Sequence, residues 1–266
     1  MQTDIHQIIP LLLSIKYTHN SNLNYDYSSI PRPCHNIAFM LEGSGIIKSG
    51  EKLLTVKKGD VLFIPKNSTY SAQWIAQPKA VYHSIHFSFQ YDGNPLLNKN
   101  IPVQILTNNN FDSLYQKAKE IEKHQFDKTA NSFFALSAFF EILGTILPSL
   151  KLESETPFNK MLAPALEYLE NNYFTKISVQ KLTSLCFLSP SRFHYLFKKQ
   201  TGVSPIVYKN KIAVRNVAED LLFDKETPIK TVAQKHGFKN FIYFERLFKK
   251  LTGKTPSLFR KENILL

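Results

Sequence analysis

The sequence predicts a two-domain α+β chain: an antiparallel β sandwich or barrel with helices packed on it, followed by an all-α domain of two similar helical units. Three observations predict this. Short apolar runs broken by Gly, Pro, Asn and Ser recur through residues 30–90, the pattern of an antiparallel sheet. From Asn110 the apolar spacing lengthens to steps of three and four, which is helical. A 13-residue block near the end of the chain occurs twice, 51 residues apart.

Composition narrows the class. The chain has 266 residues, 43% hydrophobic and 13% aromatic, enough apolar material for two ordinary cores. Its two cysteines, Cys34 and Cys186, fall in different halves; a disulfide scaffold is excluded and a cytoplasmic location is expected. The longest apolar stretch, Phe133 to Leu147, is 15 residues long and contains Glu141, too short and too polar for a bilayer span. No basic residue precedes the run Ile8 to Ile15, unlike a secretory signal, so no membrane partner is expected. Charge is uneven: residues 158–266 hold 19 basic and 8 acidic side chains, whereas 1–157 hold 14 and 13. A segment that cationic attracts a polyanion by releasing counterions from phosphates.

The front half is read first. His35 to Leu41 runs to Glu42-Gly43-Ser44-Gly45, a turn signal; Ile46-Ile47, Leu53 to Val56, Val61 to Ile64 and Val81 to Phe89 follow as further short strands. Then Phe111, Leu114, Ala118 and Ile121 define one helical face, and Phe133 to Leu147 a second apolar helix. The boundaries expected are 1–106 for the β domain, 107–150 for a helical packing or dimerisation region, 151–157 for a polar linker and 158–266 for the basic helical domain. The seam Leu114, Ala118, Ile121 serves either a dimer contact or simple packing on the barrel.

In the repeat, Phe193 to Pro205 returns as Phe244 to Pro256 with eight of 13 positions identical, so each copy is one structural unit. Phe193, Leu196 and Phe197 sit at i, i+3 and i+4, as do Phe244, Leu247 and Phe248, giving each helix one apolar face. Gly202 and Gly253 stop the helices. Ser204-Pro205 and Thr255-Pro256 then supply an N-cap oxygen and a first-turn proline to the next helix. Shorter helices precede each copy, Val179 to Cys186 after Ser178 and Pro228 to Lys235 after Thr227. Each unit is therefore helix, tight turn, helix. Gly237 suits the second turn; Phe187 holds the matching place in the first and is a poor choice if φ is positive there.

A helix–turn–helix with a cationic second helix is the shape of a DNA reader. The residues Gly237-Phe238, Tyr243-Phe244, Arg246, Phe248-Lys249-Lys250, Thr252-Gly253, Thr255-Pro256 and Phe259-Arg260 resemble, in identity and spacing, the AraC/XylS signature of bacterial transcription regulators. The resemblance covers roughly residues 160–262. It implies two helix–turn–helix units joined by a long helix, Pro205 to about Phe223, binding double-stranded promoter DNA in successive major grooves. It also implies a regulator rather than an enzyme, an activator that meets RNA polymerase, and a homodimer. Carried over residue by residue, the first recognition helix presents Ser191, His194 and Tyr195, and the second Phe241, Ile242, Glu245 and Arg246. Arg246 is either a bidentate donor to guanine or a phosphate clamp. Phe241 and Ile242 either touch thymine methyls or are partly buried. Lys198, Lys199, Lys249 and Lys250 are phosphate contacts, which add affinity without sequence choice.

Gly59-Asp60-Val61-Leu62-Phe63-Ile64-Pro65 resembles the second motif of the cupin jelly roll found in the effector domains of the same family, and His35 to Gly43 resembles its preceding strand with Asn36 in the acidic position. Metal-binding cupins need clustered His and Glu; Tyr70 stands where their second motif has His, so neither a metal nor another cofactor is expected. His83 and His86, three apart on a strand, point to opposite faces. Tyr82-His83 and Arg32-Pro33 resemble positions lining the pocket of sugar-responsive members. With Tyr70 and Trp74, the residues Arg32 and His83 are the expected effector site, and a small molecule, a carbohydrate, is the effector implied.

Overall fold

Strand pairing organises the front half. In the computed structural model, which describes residues 10–89, 101–106, 110–127, 131–153 and 157–262, one sheet has the order β1 (Pro10–His19), β8 (Ala80–Phe89), β3 (His35–Glu42), β6 (Val61–Ile64), β9 (Gln104–Leu106). The other has the order β2 (Leu23–Asp26), β7 (Ser71–Ile75), β4 (Ser44–Ser49), β5 (Lys52–Lys57). All of these pairings are antiparallel. Strands thus pair as nested couples, first with eighth, second with seventh, third with sixth and fourth with fifth, which is jelly-roll connectivity. The first nine residues, including the start of the Ile8–Ile15 run, lie outside the described residues, as do 90–100, 107–109, 128–130, 154–156 and 263–266.

Alternation along the strands sorts the five-stranded sheet into two faces. One carries Ile37, Phe39, Val61, Phe63, Ile85 and Phe87, all fully buried, against helices α1 (Phe111–His124) and α2 (Ser132–Ile146). Phe87 meets Phe139 of α2 edge-on at 5.0 Å, and Phe39 meets Phe111 of α1 likewise at 5.9 Å. Burying each such side chain is worth about 1.5–3 kcal/mol. The other face looks across the barrel to the four-stranded sheet, where Trp74 stacks on Tyr82 at 4.3 Å.

Leu114, Ala118 and Ile121 belong to this core. Of the two uses expected for that seam, packing is what it does, because α1 turns its apolar stripe onto its own sheet and leaves nothing there for a second copy. With its 3-10 extension to Ser149, α2 is long and apolar enough to cross a bilayer. Its inner side, Ala135, Ala138, Phe139, Ile142, Leu143 and Ile146, is instead buried on the barrel.

Contacts divide the chain into two compact units, Met1–Glu153 and Ser154–Leu265. The start of the expected linker is tied to the first: the Lys151 N–H donates to Gln104 Oε1 at 2.9 Å, Gln104 Nε2 donates to the Lys151 carbonyl at 3.1 Å, and Lys52 pairs with Glu153. Residues 154–156 of that linker lie outside the described residues.

The second unit is helical: α3 (Pro157–Asn172), α4 (Val179–Leu185), α5 (Pro190–Thr201), α6 (Pro205–Phe223), α7 (Ile229–Lys235), α8 (Phe241–Thr252) and α9 (Pro256–Glu262). Phe193, Leu196 and Phe197 of α5 are buried with Leu162, Ala165, Leu169, Leu182 and Ile212. A partly buried ion pair crosses the same region, with Arg215 Nη1 donating to Glu170 Oε1 at 3.3 Å. Burial opposes the Arg215 charge, but Glu170 more than restores it.

Candidate nucleic-acid interface and barrel interior

Local chemistry sets each helix pair. Ser178 caps α4 by accepting from the Lys181 N–H at 3.2 Å. Ser189 does the same for α5 from Arg192, and Ser204 for α6 from Val207. Each satisfies a donor that the first turn would otherwise leave open. Gly202 and Gly253 close α5 and α8 at φ 74° and 77°. Ahead of them the Thr201 and Thr252 hydroxyls donate to the carbonyls of Phe197 and Phe248, each at 2.8 Å. The two copies thus end by the same hydrogen bonds. One cap was not read from the sequence and another differs from expectation. Asn240 caps α8, accepting from the Tyr243 N–H at 2.9 Å. Pro228 rather than Thr227 is the N-cap of α7, without a side-chain cap bond; the Thr227 N–H donates to the Asp224 carboxylate at 2.9 Å in the preceding turn.

Both turns have positive φ, Gly237 at 86° and Phe187 at 54°. Phe187 is strained for a side chain of its size and 95% exposed.

Repeated helices present matching faces. On α5 the residues Ser191, Arg192, His194, Tyr195, Lys198 and Lys199 are exposed, opposite buried Phe193, Leu196 and Phe197. On α8 the residues Ile242, Tyr243, Glu245, Arg246, Lys249 and Lys250 are exposed, opposite Phe244 and Phe248. Ile242 is 62% exposed, which settles its open alternative against burial. Phe241 is half-buried and packs its ring on Phe244 at 5.7 Å. Arg192, missed in the sequence reading, lies over the Tyr195 ring at 5.9 Å, where Lys199 also approaches; its i, i+3 relation to Tyr195 was the available signal. The paired lysines occupy the last turn of each helix, where cations also complement the helix dipole.

Inside the barrel, the effector residues expected from sequence part company. Arg32 and Tyr70 come together: Arg32 Nη1 donates to the Tyr70 hydroxyl at 2.5 Å. Arg32 Nη2 donates to His86 Nδ1 at 2.8 Å. A guanidinium cannot accept, so His86 Nδ1 is the acceptor and its Nε2–H donates to the Tyr17 hydroxyl at 3.2 Å. Asn36 and Cys34 flank the same imidazole. Burial, then the Arg32 charge, hold His86 well below its ordinary pKa, so the ring is neutral.

Trp74 faces the interior but offers no open platform. Its six-membered ring sits where a Cβ on Gly45 would come within 2.5 Å, and Tyr82 stacks on it. His83 is a correction. It lies on the opposite face of β8 from Tyr82 and His86, between sheet and helices, sharing a 2.7 Å hydrogen bond with the Ser14 hydroxyl, which donates to the Ala118 carbonyl at 3.3 Å. Adjacent strand residues cannot both face the barrel, so a pocket that takes Tyr82 excludes His83. Burial, then Lys16, lower its pKa to about 4. His86, Tyr17 and Tyr82 are the interior residues that the sequence reading left out of the site; the period-2 alternation from Tyr82 to His86 would have found His86.

Two capped helix pairs, each with an exposed cationic second helix, define a helix–turn–helix DNA-binding protein. Residues 182–262 match the family model described as a helix-turn-helix domain. The chain is 24% identical over 231 residues to the arabinose operon regulatory protein of Escherichia coli, covering 83% of this chain and 78% of that one. It is 25% identical over 251 residues to the raffinose operon transcriptional regulatory protein RafR of Pediococcus pentosaceus, covering 90% and 89%. The chain is thus similar to DNA-binding transcription regulators of the AraC/XylS family. Among solved structures, ToxT from Vibrio cholerae shares the fold, with TM-score 0.62 at 10% identity across 94% of this chain and 97% of that one.

Proposed function

We propose that this protein is a cytoplasmic, sequence-specific transcription activator that reads promoter DNA with α5 and α8 and responds to a small molecule held in its barrel. The repeated exposed face carries the reading. Ser191, His194, Tyr195, Phe241, Ile242, Glu245 and Arg246 are its base-reading side chains, and Lys198, Lys199, Lys249 and Lys250 its phosphate contacts. Arg192 joins the first set by position. Selection of duplexes from a random pool by the full chain tests this: one enriched motif with two half-sites spaced by about one helical turn is expected, and recovery of unenriched sequence refutes it.

The effector reading rests on the polar cluster of Arg32, Tyr70, His86 and Tyr17 inside the jelly roll, a position where barrels enclose one small ligand. A carbohydrate effector draws support from two relatives named for arabinose and raffinose operons, and from tyrosine and asparagine groups that suit hydroxyls. Effector in the barrel changes which DNA sites the protein occupies, by favouring one of two arrangements, and the activated form recruits RNA polymerase. A homodimer forms through the outer side of α2, where Phe133 is 70% and Phe140 41% exposed. A ligand-free regulator whose front half only dimerises is the competing reading; a metabolite panel that never shifts the melting midpoint would favour it.

A further inference from the structure

The barrel interior holds one full charge that no opposite charge among the described residues neutralises. Arg32 is 8% exposed, and its guanidinium lies over the Tyr27 ring, 5.1 Å from the centroid. Its hydrogen-bond partners, the Tyr70 hydroxyl and His86 Nδ1, are neutral, Tyr70 because burial pushes its phenol up. Arg32 Nε is buried without any partner. Among the described residues no carboxylate pairs with it. The contrast lies in the same chain: Arg215, the other buried arginine among the described residues, is held by both oxygens of Glu170.

An arginine does not escape burial by losing its proton, and an unpaired charge out of water is strongly disfavoured. A guanidinium kept there is therefore waiting for an anion. We propose that the effector is a monocarboxylate whose carboxylate is the counter-ion of Arg32. This rests on the reading of the barrel as the effector site and names the ligand's class. Arg32 spends one Nη1–H on Tyr70 and one Nη2–H on His86, leaving Nε–H and one hydrogen on each Nη for the side-on, two-point contact that a carboxylate takes. No second lysine or arginine is buried in this unit among the described residues, so the site balances one negative charge and leaves a phosphate dianion in excess. The Tyr17 hydroxyl and the Asn36 amide, both on the His86 ring that Arg32 holds, suit a hydroxylated body, as in a sugar acid.

Acetate, a carboxylate with only a methyl group as its body, tests the charge preference of the site without knowledge of the natural effector. In the full chain, sodium acetate should raise the melting midpoint of the barrel unit, by roughly 3–6 °C at ten times its dissociation constant. Acetamide, and sodium chloride at matched ionic strength, should not. Arg32→Met should abolish the acetate response. A wild-type midpoint that moves no more with acetate than with chloride overturns the proposal. So does an acetate response that survives in Arg32→Met. If that variant does not fold, the wild-type comparison of acetate with acetamide still decides. The effector reading fails by a different result: a broad metabolite panel, neutral sugars included, that changes neither the midpoint nor the DNA affinity.

Discussion

Replacing Gly237 by alanine should disable the second helix–turn–helix unit. At φ 86° the residue is in the left-handed region, and an added Cβ would lie 2.5 Å from the Phe174 carbonyl oxygen and 2.9 Å from its Cα. The left-handed conformation costs an L-residue about 1–2 kcal/mol. The clash is with backbone that cannot rotate aside, and overpacking of this kind adds about 1–3 kcal/mol. A loss of about 3 kcal/mol is therefore expected, near 10 °C in the midpoint of a unit of this size. The turn also fixes where α8 begins, since Gly237 and Phe238 N–H groups bond back to Gln234 and Ala233, each at 3.0 Å, so DNA affinity should fall with stability. Phe187→Gly is the reciprocal change. It relieves left-handed strain at φ 54° and gives back part of the gain through the looser unfolded chain, so it should be neutral or stabilising by up to about 1 kcal/mol. Denaturant titration of the full chain measures both. A Gly237→Ala loss below about 1 kcal/mol would refute the claim that this turn is sterically fixed.

Other outcomes follow from the same geometry. Arg246→Ala should relax sequence choice, whereas Lys249→Ala should weaken all duplexes about equally; equal losses for both in site-against-random competition remove the base-reading role of Arg246. Acid should melt the barrel unit first. His35, His83 and His86 are held neutral by burial, His35 at about 3 and His83 at about 4. With folded values below the unfolded one, the unfolded chain takes up protons first; stability is full above about pH 6.5 and falls as pH drops toward those values. At pH 5 the loss is about 2 kcal/mol for each of His35 and His83. A barrel midpoint unchanged between pH 7.5 and pH 5 contradicts neutral burial. If the proposed homodimer forms through α2, Phe133→Asp with Phe140→Asp should leave the chain sedimenting as a monomer without lowering the barrel midpoint; a double variant that sediments as the wild type does places any interface elsewhere.

Much of this architecture could be read from residue order, and the reasons differ by region. In the basic unit the apolar spacing of Phe193, Leu196 and Phe197, the Ser-Pro openings and the Thr-Gly closures each act within a few residues, so local pattern fixed the helices and their exposed faces. The jelly roll depends on pairing between distant strands, such as Tyr17 with Tyr82 and Asn36 with His86. Strands β1, β2, β7 and β9 carried no local signal strong enough to place them. His83 shows the same limit at a single residue. A resemblance between short segments selected it. Alternation along the strand separates it from Tyr82 and His86, but which of the two faces looks into the barrel is decided only by the paired sheet and the helices packed on it. Leu114, Ala118 and Ile121 show it again: an apolar helical stripe announces burial without saying against what. Arg32 and His86 meet across 54 positions of sequence, and no spacing rule joins them.

The salt dependence of promoter binding tests most directly whether both helical units engage the duplex. Each neutralised phosphate contributes a slope of about −0.9 in log K against log salt. If Lys198, Lys199, Lys249 and Lys250 all contact phosphates, replacing either lysine pair by alanine should make the slope shallower by nearly 2. A slope unchanged when one pair is removed would mean that only one of the two recognition helices reaches the DNA.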